Sequence, residues 1–569
     1  MELFELVVGR IGDALAYPLV ILLLGAGVFL TIKLGFIQFR KLGHGFAVAT
    51  GRYDDPDEPG DVSHFQALTT ALSATVGVGN IAGVALAIHI GGPGALFWMW
   101  VTALLGMATK YAEVTLAQQY RDVRVDEDGK AWEGSVSGGP MYYIERGLGR
   151  KWKPVAMFFA FALMLTSFMT GNAVQANTVA TQVFDSFGID PWITGAITAT
   201  IVGIVILGGI SRIGRVTSIV APVMAAIYVA GALLILALNI GSVPAAFGRI
   251  FSEAFNPQSG VAGTGAGVFL LTMLYGVQRG LFSNEAGQGS APIAHSAAKT
   301  DEPVSEGAVA LLEPFIDTIL ICTMTGLVLI TTGAFEATAP ASFDLGASNV
   351  SVVTGDREAG FDDYLGDEAI AYNEGIPQVL DGPRVARFNV GIDTLFVDEA
   401  QTRPFTGTID TGSRAALDAD GGVIETLYGN TVRTSAPLTT LAFERGLAPI
   451  GWSGLGGYIV LFSVILFAIS TSISWSYYGD RCANYLFGKK AILPFKGVFV
   501  VMHFVGAVLA VTTIWDLGDV ALSLVTIPNV IALVVLSGTL KKLTDSYFDR
   551  KPWIENEEAH KKAKAEGRL

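Results

Sequence analysis

Charge is what this chain has least of. Only 15% of its 569 residues are Asp, Glu, Lys or Arg, against about 25% in an ordinary soluble domain. That shortage excludes a row of three or four soluble domains, the reading its length would otherwise invite. Cysteine is nearly absent too. Cys322 and Cys482 both lie in or beside apolar runs, which excludes a disulfide framework and a thiolate metal cluster. The six histidines are scattered and form no HExxH pair, so the zinc-hydrolase signature is missing. Lysine is absent from 333–440, where 17 Asp/Glu face 6 Arg for a net of −11; the rest of the chain carries only −3 of the total −14. That balance argues against nucleic acid as a partner. The start, with Glu2, Glu5, Arg10 and Asp13, lacks the basic flank of a signal peptide, so the first apolar run reads as a retained helix.

What the chain has is apolar length. It is 51% hydrophobic with 67 glycines, and apolar runs fall at 14–34, 65–90, 94–119, 155–184, 191–210, 216–240, 264–290, 306–332, 456–480, 491–514 and 518–540. About 20 apolar residues span a bilayer as a helix. The expectation is an all-α polytopic membrane protein with eleven transmembrane helices, the third leaving the membrane near Lys110 and Glu113.

Lys and Arg concentrate in alternate connections: Arg40 to Arg52, Arg121 to Lys153, Arg212 and Arg215, Lys299, Arg481 to Lys496, and the tail from Lys541. The positive-inside rule then puts the N-terminus outside and the C-terminus in the cytoplasm of a multi-pass protein of the cell inner (plasma) membrane. The acidic stretch 333–440 falls outside. Its β-like runs, Val385–Val390 and Thr394–Val397, predict a small β-rich extracellular insertion, too long for an ordinary loop. Asp418-Ala-Asp420-Gly421 within it lacks the terminal Glu of a calcium loop and reads as a solvated turn.

Five plus five helices remain once the first is set aside, and an odd number per unit inverts the second unit in the membrane. The predicted divisions are 1–64 (extra helix and cytoplasmic loop), 65–240 (first repeat), 264–332 with 456–540 (second repeat), 333–440 (insertion) and 541–569 (cytoplasmic tail). In such folds a Gly-interrupted helix at matching positions of both halves marks the binding site. Thr75-Val76-Gly77-Val78-Gly79-Asn80 and Tyr275-Gly276-Val277-Gln278-Arg279-Gly280 are the matching pair. Glycine lets the backbone leave helical geometry, which exposes amides for a carboxylate and carbonyls for a cation; it also lets helices pack closely, the competing reading. Asn80 favours the first, because a mid-span amide is costly without a partner.

Three other constellations carry chemistry. Ser470-Thr471-Ser472 with Ser474 crowd hydroxyls into one span, either bonding back to their own helix or caging a hard cation with oxygen. Asn172, Gln175 and Asn177 put amides in another, to bond a neighbouring helix or to read a polar ligand. Glu313 and Asp317 are intramembrane carboxylates that either carry protons or pair with Lys110 or Arg279 to brace an inner gate.

Several long motifs resemble those of the alanine or glycine:cation symporters, also called sodium:alanine symporters. They are Gly91-Gly-Pro-Gly-Ala-Leu-Phe-Trp-Met-Trp100 with Gly106-Met-Ala-Thr-Lys-Tyr-Ala-Glu113, Gly138-Gly-Pro-Met-Tyr-Tyr143, Gly280-Leu-Phe-Ser-Asn-Glu-Ala-Gly-Gln-Gly-Ser290, Glu313-Pro-Phe-Ile-Asp317 and Trp475-Ser-Tyr-Tyr-Gly479. The resemblance covers nearly the whole chain except 333–440. It implies an amino acid–polyamine–organocation fold similar to the bacterial leucine transporter, and sodium-coupled import of alanine, glycine or D-alanine by alternating access, with no cofactor beyond the coupling Na⁺. It also implies site residues. The substrate would meet Thr75, Gly77, Val78, Gly79, Gln175, Gly276, Gly280 and Trp475. Na⁺ would lie among the carbonyls of Ser73, Val76 and Ala468 and the hydroxyls of Thr471 and Ser472. Thr75 and Asn80 would sit at a possible second ion, and Glu313 and Asp317 at the gate or coupling path. Partners are then a small amino acid, Na⁺ and lipid, with the oligomeric state left open. Proton coupling is the alternative, and a receptor built on the insertion is a more distant one. No nucleophile–base set or metal cluster marks an enzyme.

Overall fold

The computed structural model describes residues 2–125, 131–256, 266–346, 350–356, 360–364, 366, 369–379, 382–387, 390–508 and 512–566. Each apolar run lies mainly on helix, with breaks at 76–77 and 285–290, and 264–265 and 509–511 fall outside the described residues. The principal helices are α1 (Glu2–Lys33), α2 (His64–Thr75), α3 (Val84–Gly91), α4 (Gly94–Tyr120), α5 (Lys153–Phe168), α6 (Val174–Phe187), α7 (Pro191–Ile206), α8 (Gly209–Leu238), α9 (Ala266–Asn284), α10 (Ala291–His295), α11 (Pro303–Ala310), α12 (Thr323–Thr331), α13 (Ser435–Leu447), α14 (Ser453–Phe487), α15 (Ile492–Val508), α16 (Thr512–Val535), α17 (Ser537–Arg550) and α18 (Trp553–Ala565), with shorter ones between them, among them Leu42–Ala49 and Val243–Glu253. Among the described residues five helices are long and apolar enough to cross a membrane, or seven if each of two bent pairs counts once.

The outer faces of these helices are apolar. Ile197, Ile204, Ile219 and Val501 are 56%, 60%, 63% and 60% exposed. A belt of this kind is penalised in water and stable against lipid tails. Polar residues turn inward instead. Lys110 and Glu113, expected where α4 leaves the membrane, are wholly buried, and α4 runs on to Tyr120.

Two breaks organise the interior. Helix α2 starts on a capping box, with Ser63 Oγ accepting from Gln66 N at 3.2 Å and Gln66 Oε1 accepting from Ser63 N at 3.1 Å. It stops at Thr75, and after three residues the chain resumes through a π-turn over Gly79–Gly83 into α3, bent by 49°. The second break is not where Gly276 and Gly280 predict it. Helix α9 runs uninterrupted through both to Asn284. A Cβ on Gly276 would lie 2.5 Å from Ala95 O, and one on Gly280 3.2 Å from Thr102 Cβ. These glycines let α9 approach α4, which is the packing role of small residues. The chain leaves helix at 285–290 instead, with Glu285, Gly287 and Gly289 at φ 53°, 90° and 78°. Positive φ in a non-glycine residue such as Glu285 is stored strain held by its surroundings.

Among its described residues the insertion is a β-structure of three antiparallel sheets. They order as β10-β14-β3, β13-β12-β11-β6-β7 and β5-β4-β8-β9, with β3 (Thr338–Phe343), β4 (Val350–Asp356), β5 (Gly360–Asp363), β6 (Ile370–Asn373), β7 (Ile376–Pro377), β8 (Arg384–Arg387), β9 (Val390–Gly391), β10 (Leu395–Phe396), β11 (Gly407–Asp410), β12 (Ala415–Asp418), β13 (Val423–Ile424) and β14 (Leu427–Val432). A hairpin of β1 (Asp122–Val125) and β2 (Ala131–Ser137) lies earlier in the chain. Residues 388–389, inside one β-like run, lie outside the described residues. Phe343, Tyr372, Val385, Leu395, Phe405 and Ile409 form a separate buried core. Asp418 accepts from Asp420 N and Gly422 N at 2.9 and 2.7 Å, a self-closed turn. Elsewhere α17 and α18 fold back onto the segment after α1, whose short helix Leu42–Ala49 carries His44. His44 stacks among Tyr53, Tyr547, Phe548 and Trp553, at centroid distances of 4.6–5.7 Å.

Candidate substrate and ion site

Where the two breaks meet α5–α6 and α14, a narrow cavity opens, with ≈ 20 Å³ able to hold the centre of a water molecule. Its walls are Ala74, Thr75, Gly77, Val78 and Gly79 from the first break, Phe282, Glu285 and Gln288 from the second, Thr170 and Gln175, Thr471 and Trp475, and Leu522 of α16. The sequence-predicted residues Thr75, Gly77, Val78, Gly79, Gln175, Thr471 and Trp475 are thus brought together. Gly276 and Gly280 are not among them.

The three amides divide. Asn172 donates to Phe499 O at 2.7 Å and accepts the approach of His503 Nδ1 at 2.7 Å, and Asn177 donates to Gly506 O at 3.2 Å. Both bond helix α15. Gln175 donates to Thr170 O at 3.1 Å, and its Oε1 has no partner. Thr170 Oγ1 and Gln288 Oε1, also buried on the wall, are equally unpartnered. A buried polar atom without a hydrogen bond costs on the order of 1–3 kcal/mol. Three around one cavity form a cradle shaped for a polar guest.

Trp475 roofs this space. Its Nε1 donates to Glu285 Oε1 at 3.2 Å, and a Cβ on Gly171 would strike its ring at 2.4 Å. Glu285, the only carboxylate among the described wall residues, also accepts from Ser290 Oγ. Sequence reasoning missed Glu285, Gln288 and Thr170. The Gly287–Gly289 pair at the end of the apolar run 264–290 was the signal for the first two.

Beside the cavity, α14 crosses the end of α2. Thr471 Oγ1 donates to Ser73 O at 3.0 Å and to Ala74 O at 3.3 Å, and Ser470 Oγ bonds back to Phe467 O at 2.9 Å. Ser472 Oγ and Ser73 Oγ are buried without partners. Val76 and Ala468 are buried in the same packed region.

Asn80 closes the first break, accepting from Gly77 N at 2.9 Å through Oδ1. Its Nδ2 donates to Asp317 Oδ1 at 2.6 Å, to Asp317 O at 3.1 Å and to Ser283 Oγ at 3.1 Å. Among the described residues no ion pair joins Asp317 to Lys110 or Arg279. Ser283 and Thr318 donate to its other oxygen at 2.8 and 2.6 Å, and Arg279 lies over the Phe282 ring at 5.8 Å. Glu313 does take Lys110, at 3.1 Å, with both side chains fully buried. The histidines are less scattered than the sequence suggested, since His64 and His295 both reach Glu306.

A helical bundle with an apolar girdle, two interrupted helices and an unsatisfied polar cradle at their meeting point defines a multi-pass membrane transporter. Residues 1–360 and 405–563 match the model of the sodium:alanine symporter family, and the chain belongs to that family. The sodium/alanine symporter AgcS of Methanococcus maripaludis is 39% identical over 93% of this chain and 94% of its own. An uncharacterized transporter of Haemophilus influenzae is 36% identical over 94% and 93%. The crystal structure of MhsT in complex with L-phenylalanine superposes with a TM-score of 0.48 at 13% identity, covering 84% of this chain and 89% of that one. Family and relatives are transporters, so this is a cation-coupled amino-acid symporter and not an enzyme. The match also narrows the departure from the family from 333–440 to 361–404.

Proposed function

We propose that this chain imports a small amino acid, alanine before glycine or D-alanine, together with Na⁺ by alternating access. The observation that carries the reading is the cavity at the two breaks, with Gln175 Oε1, Gln288 Oε1 and Thr170 Oγ1 unpartnered around it. The substrate carboxylate is assigned to the amides of Val78 and Gly79, where the interrupted helix leaves N–H groups without intrahelical partners. Glu285 supplies the one wall charge that complements an ammonium. The narrowness of the space under Trp475 favours a small side chain.

Na⁺ is assigned to the crossing of α2 and α14, among the carbonyls of Ser73, Val76 and Ala468 and the hydroxyls of Thr471 and Ser472. The approach of Thr471 to Ser73 O and the unpartnered Ser472 Oγ support this choice. Oxygen ligands suit a hard cation. Thr75 and Asn80 are assigned to a second ion position. Eleven spans in a five-plus-five arrangement after α1, with 333–440 outside and the basic loops and α18 in the cytoplasm of the plasma membrane, complete the reading. In proteoliposomes, labelled alanine uptake is expected to rise with an inward Na⁺ gradient. Uptake indifferent to Na⁺ would overturn the coupling.

A further inference from the structure

The second break has a far side that neither the substrate nor the Na⁺ reading uses. Glu285 and Gln288 line the cavity, while Gly287 and Gly289 present bare backbone to the helices behind. Leaving helical geometry frees a carbonyl and an amide there, and buried groups of that kind need partners. Three side chains without exposed surface, Glu113, Tyr143 and Asn529, supply them. Asn529 Nδ2 donates to Gly287 O at 2.8 Å and to Glu113 Oε1 at 2.5 Å. Gly289 N donates to the same Glu113 oxygen at 3.0 Å. The Tyr143 hydroxyl donates to Asn529 Oδ1, which fixes the way the amide turns.

Packing closes the same side. A Cβ on Gly287 would lie 2.3 Å from Leu23 Cδ2 of α1, and one on Gly289 would lie 2.5 Å from Pro140 Cγ and 2.9 Å from Phe159 Cζ of α5. The broken segment therefore has no room to retreat from the cavity, and its polar contacts set where it stops. Leu522, about two turns before Asn529 on α16, stands on the cavity wall. One helix thus lines the cavity and grips the segment that carries two further wall residues. A bond serving only to hold α16 in the bundle could fall anywhere along its length. This one falls on Gly287, between Glu285 and Gln288.

We propose that Asn529, oriented by Tyr143 and backed by Glu113, is a positioning residue for the substrate: it holds Gly287 O in place and thereby sets where the Glu285 carboxylate and the Gln288 amide meet the guest. The proposal deepens the symport reading above and rests on it. None of the three clamping side chains lines the cavity; they act through the backbone of the break. Without the Asn529 amide, Gly287 O loses its partner and the segment is free to shift. Glu285 then no longer stands against the ammonium, and a buried polar group that misses its partner weakens binding. The crossing of α2 and α14 assigned to Na⁺ takes no ligand from this segment, so the ion should be indifferent to the change.

The test uses the full chain in proteoliposomes. Labelled-alanine uptake is titrated against alanine at saturating Na⁺ and against Na⁺ at saturating alanine, with maximal rates normalised to protein. Asn529→Ala should raise half-saturating alanine about tenfold, and Tyr143→Phe, which removes only a hydroxyl, about threefold. Half-saturating Na⁺ should stay unchanged in both. A variant that is merely less stable supplies fewer working molecules, which lowers the maximal rate and leaves half-saturating alanine where it was. That pattern in both variants overturns the proposal and leaves the symport reading standing, and so does a parallel rise in half-saturating Na⁺. If Asn529→Ala does not fold, Tyr143→Phe decides alone. No uptake of alanine, glycine or D-alanine by the unaltered protein overturns the symport reading, and the proposal with it.

Discussion

Asn80 and Asp317 lock the first helix break to the neighbouring span. One side-chain amide donates to Asp317 Oδ1 at 2.6 Å while its oxygen accepts from Gly77 N at 2.9 Å. The break is therefore held from two sides by a single residue, and the carboxylate is held by neutral amide and hydroxyl donors.

Replacing Asn80 by Ala removes both bonds and leaves Gly77 N–H and Asp317 buried without them. Each orphan costs on the order of 1–3 kcal/mol, so the detergent-solubilised protein should melt earlier and lose alanine uptake. Asn80→Asp, which sets two carboxylates together, should be worse. Thermal melting followed by tryptophan fluorescence checks both.

Thr471→Ala should raise the Na⁺ concentration for half-maximal uptake by roughly tenfold, about 1.4 kcal/mol, with a smaller effect on half-saturating alanine at high Na⁺. The opposite pattern in uptake titrations would move Thr471 from the ion to the substrate.

Gly171→Ala drives a methyl into the Trp475 ring, 2.4 Å from its nearest atom. Overpacking of this kind costs about 1–3 kcal/mol. Displacing Trp475 should also weaken alanine more than Na⁺, and paired titrations of the two ligands read the difference.

In the loop after α1, burial pushes the Glu58 carboxyl up to about 7, although Asn556 of α18 donates to it at 3.1 Å. The folded state holds this proton more tightly than the unfolded chain does. Its stabilising contribution is full below the ordinary carboxylate pKa and is lost as pH rises through about 7. Tryptic cleavage at Lys561 and Lys562 should therefore quicken from pH 6 to pH 8 relative to Glu58→Gln, which stays uncharged throughout.

Thr338 and Val432 are paired neighbours at the root of the insertion, about 4.5–5.5 Å apart as antiparallel partners. Removing 339–431 and joining them through a short linker should leave a monodisperse, alanine-transporting protein. Removing 361–404 alone should lower the yield, because β4, β11 and β14 lose β8, β6 and β10. Size-exclusion profiles compare the two deletions.

The first break was legible because Gly77, Gly79 and Asn80 concentrate backbone freedom and an unpaired amide within six residues of apolar sequence. Thr471, Gln175 and Trp475 stood out as polar or bulky groups in the same surroundings. Gly276 and Gly280 carried the same local signature as Gly77 and Gly79, and only the facing surface of α4 decides that they pack rather than break. The buried pairing of Lys110 with Glu313, and of His64 and His295 with Glu306, was hidden for another reason. Its members come from α2, α4, α10, α11 and the turn after α11, and no local pattern links His64 to Glu306, 242 residues later.

The aromatic nest around His44 couples two moments of synthesis. Its floor is made early, and Tyr547, whose hydroxyl meets His44 Nε2 at 2.9 Å, follows 503 residues later. Until α17 and α18 arrive, His44, Tyr53 and the loop beside them stand open to solvent. A chain that ends before residue 537 lacks both α17 and α18 and leaves this apolar floor uncovered. Such a surface is what chaperones and proteases read as unfinished.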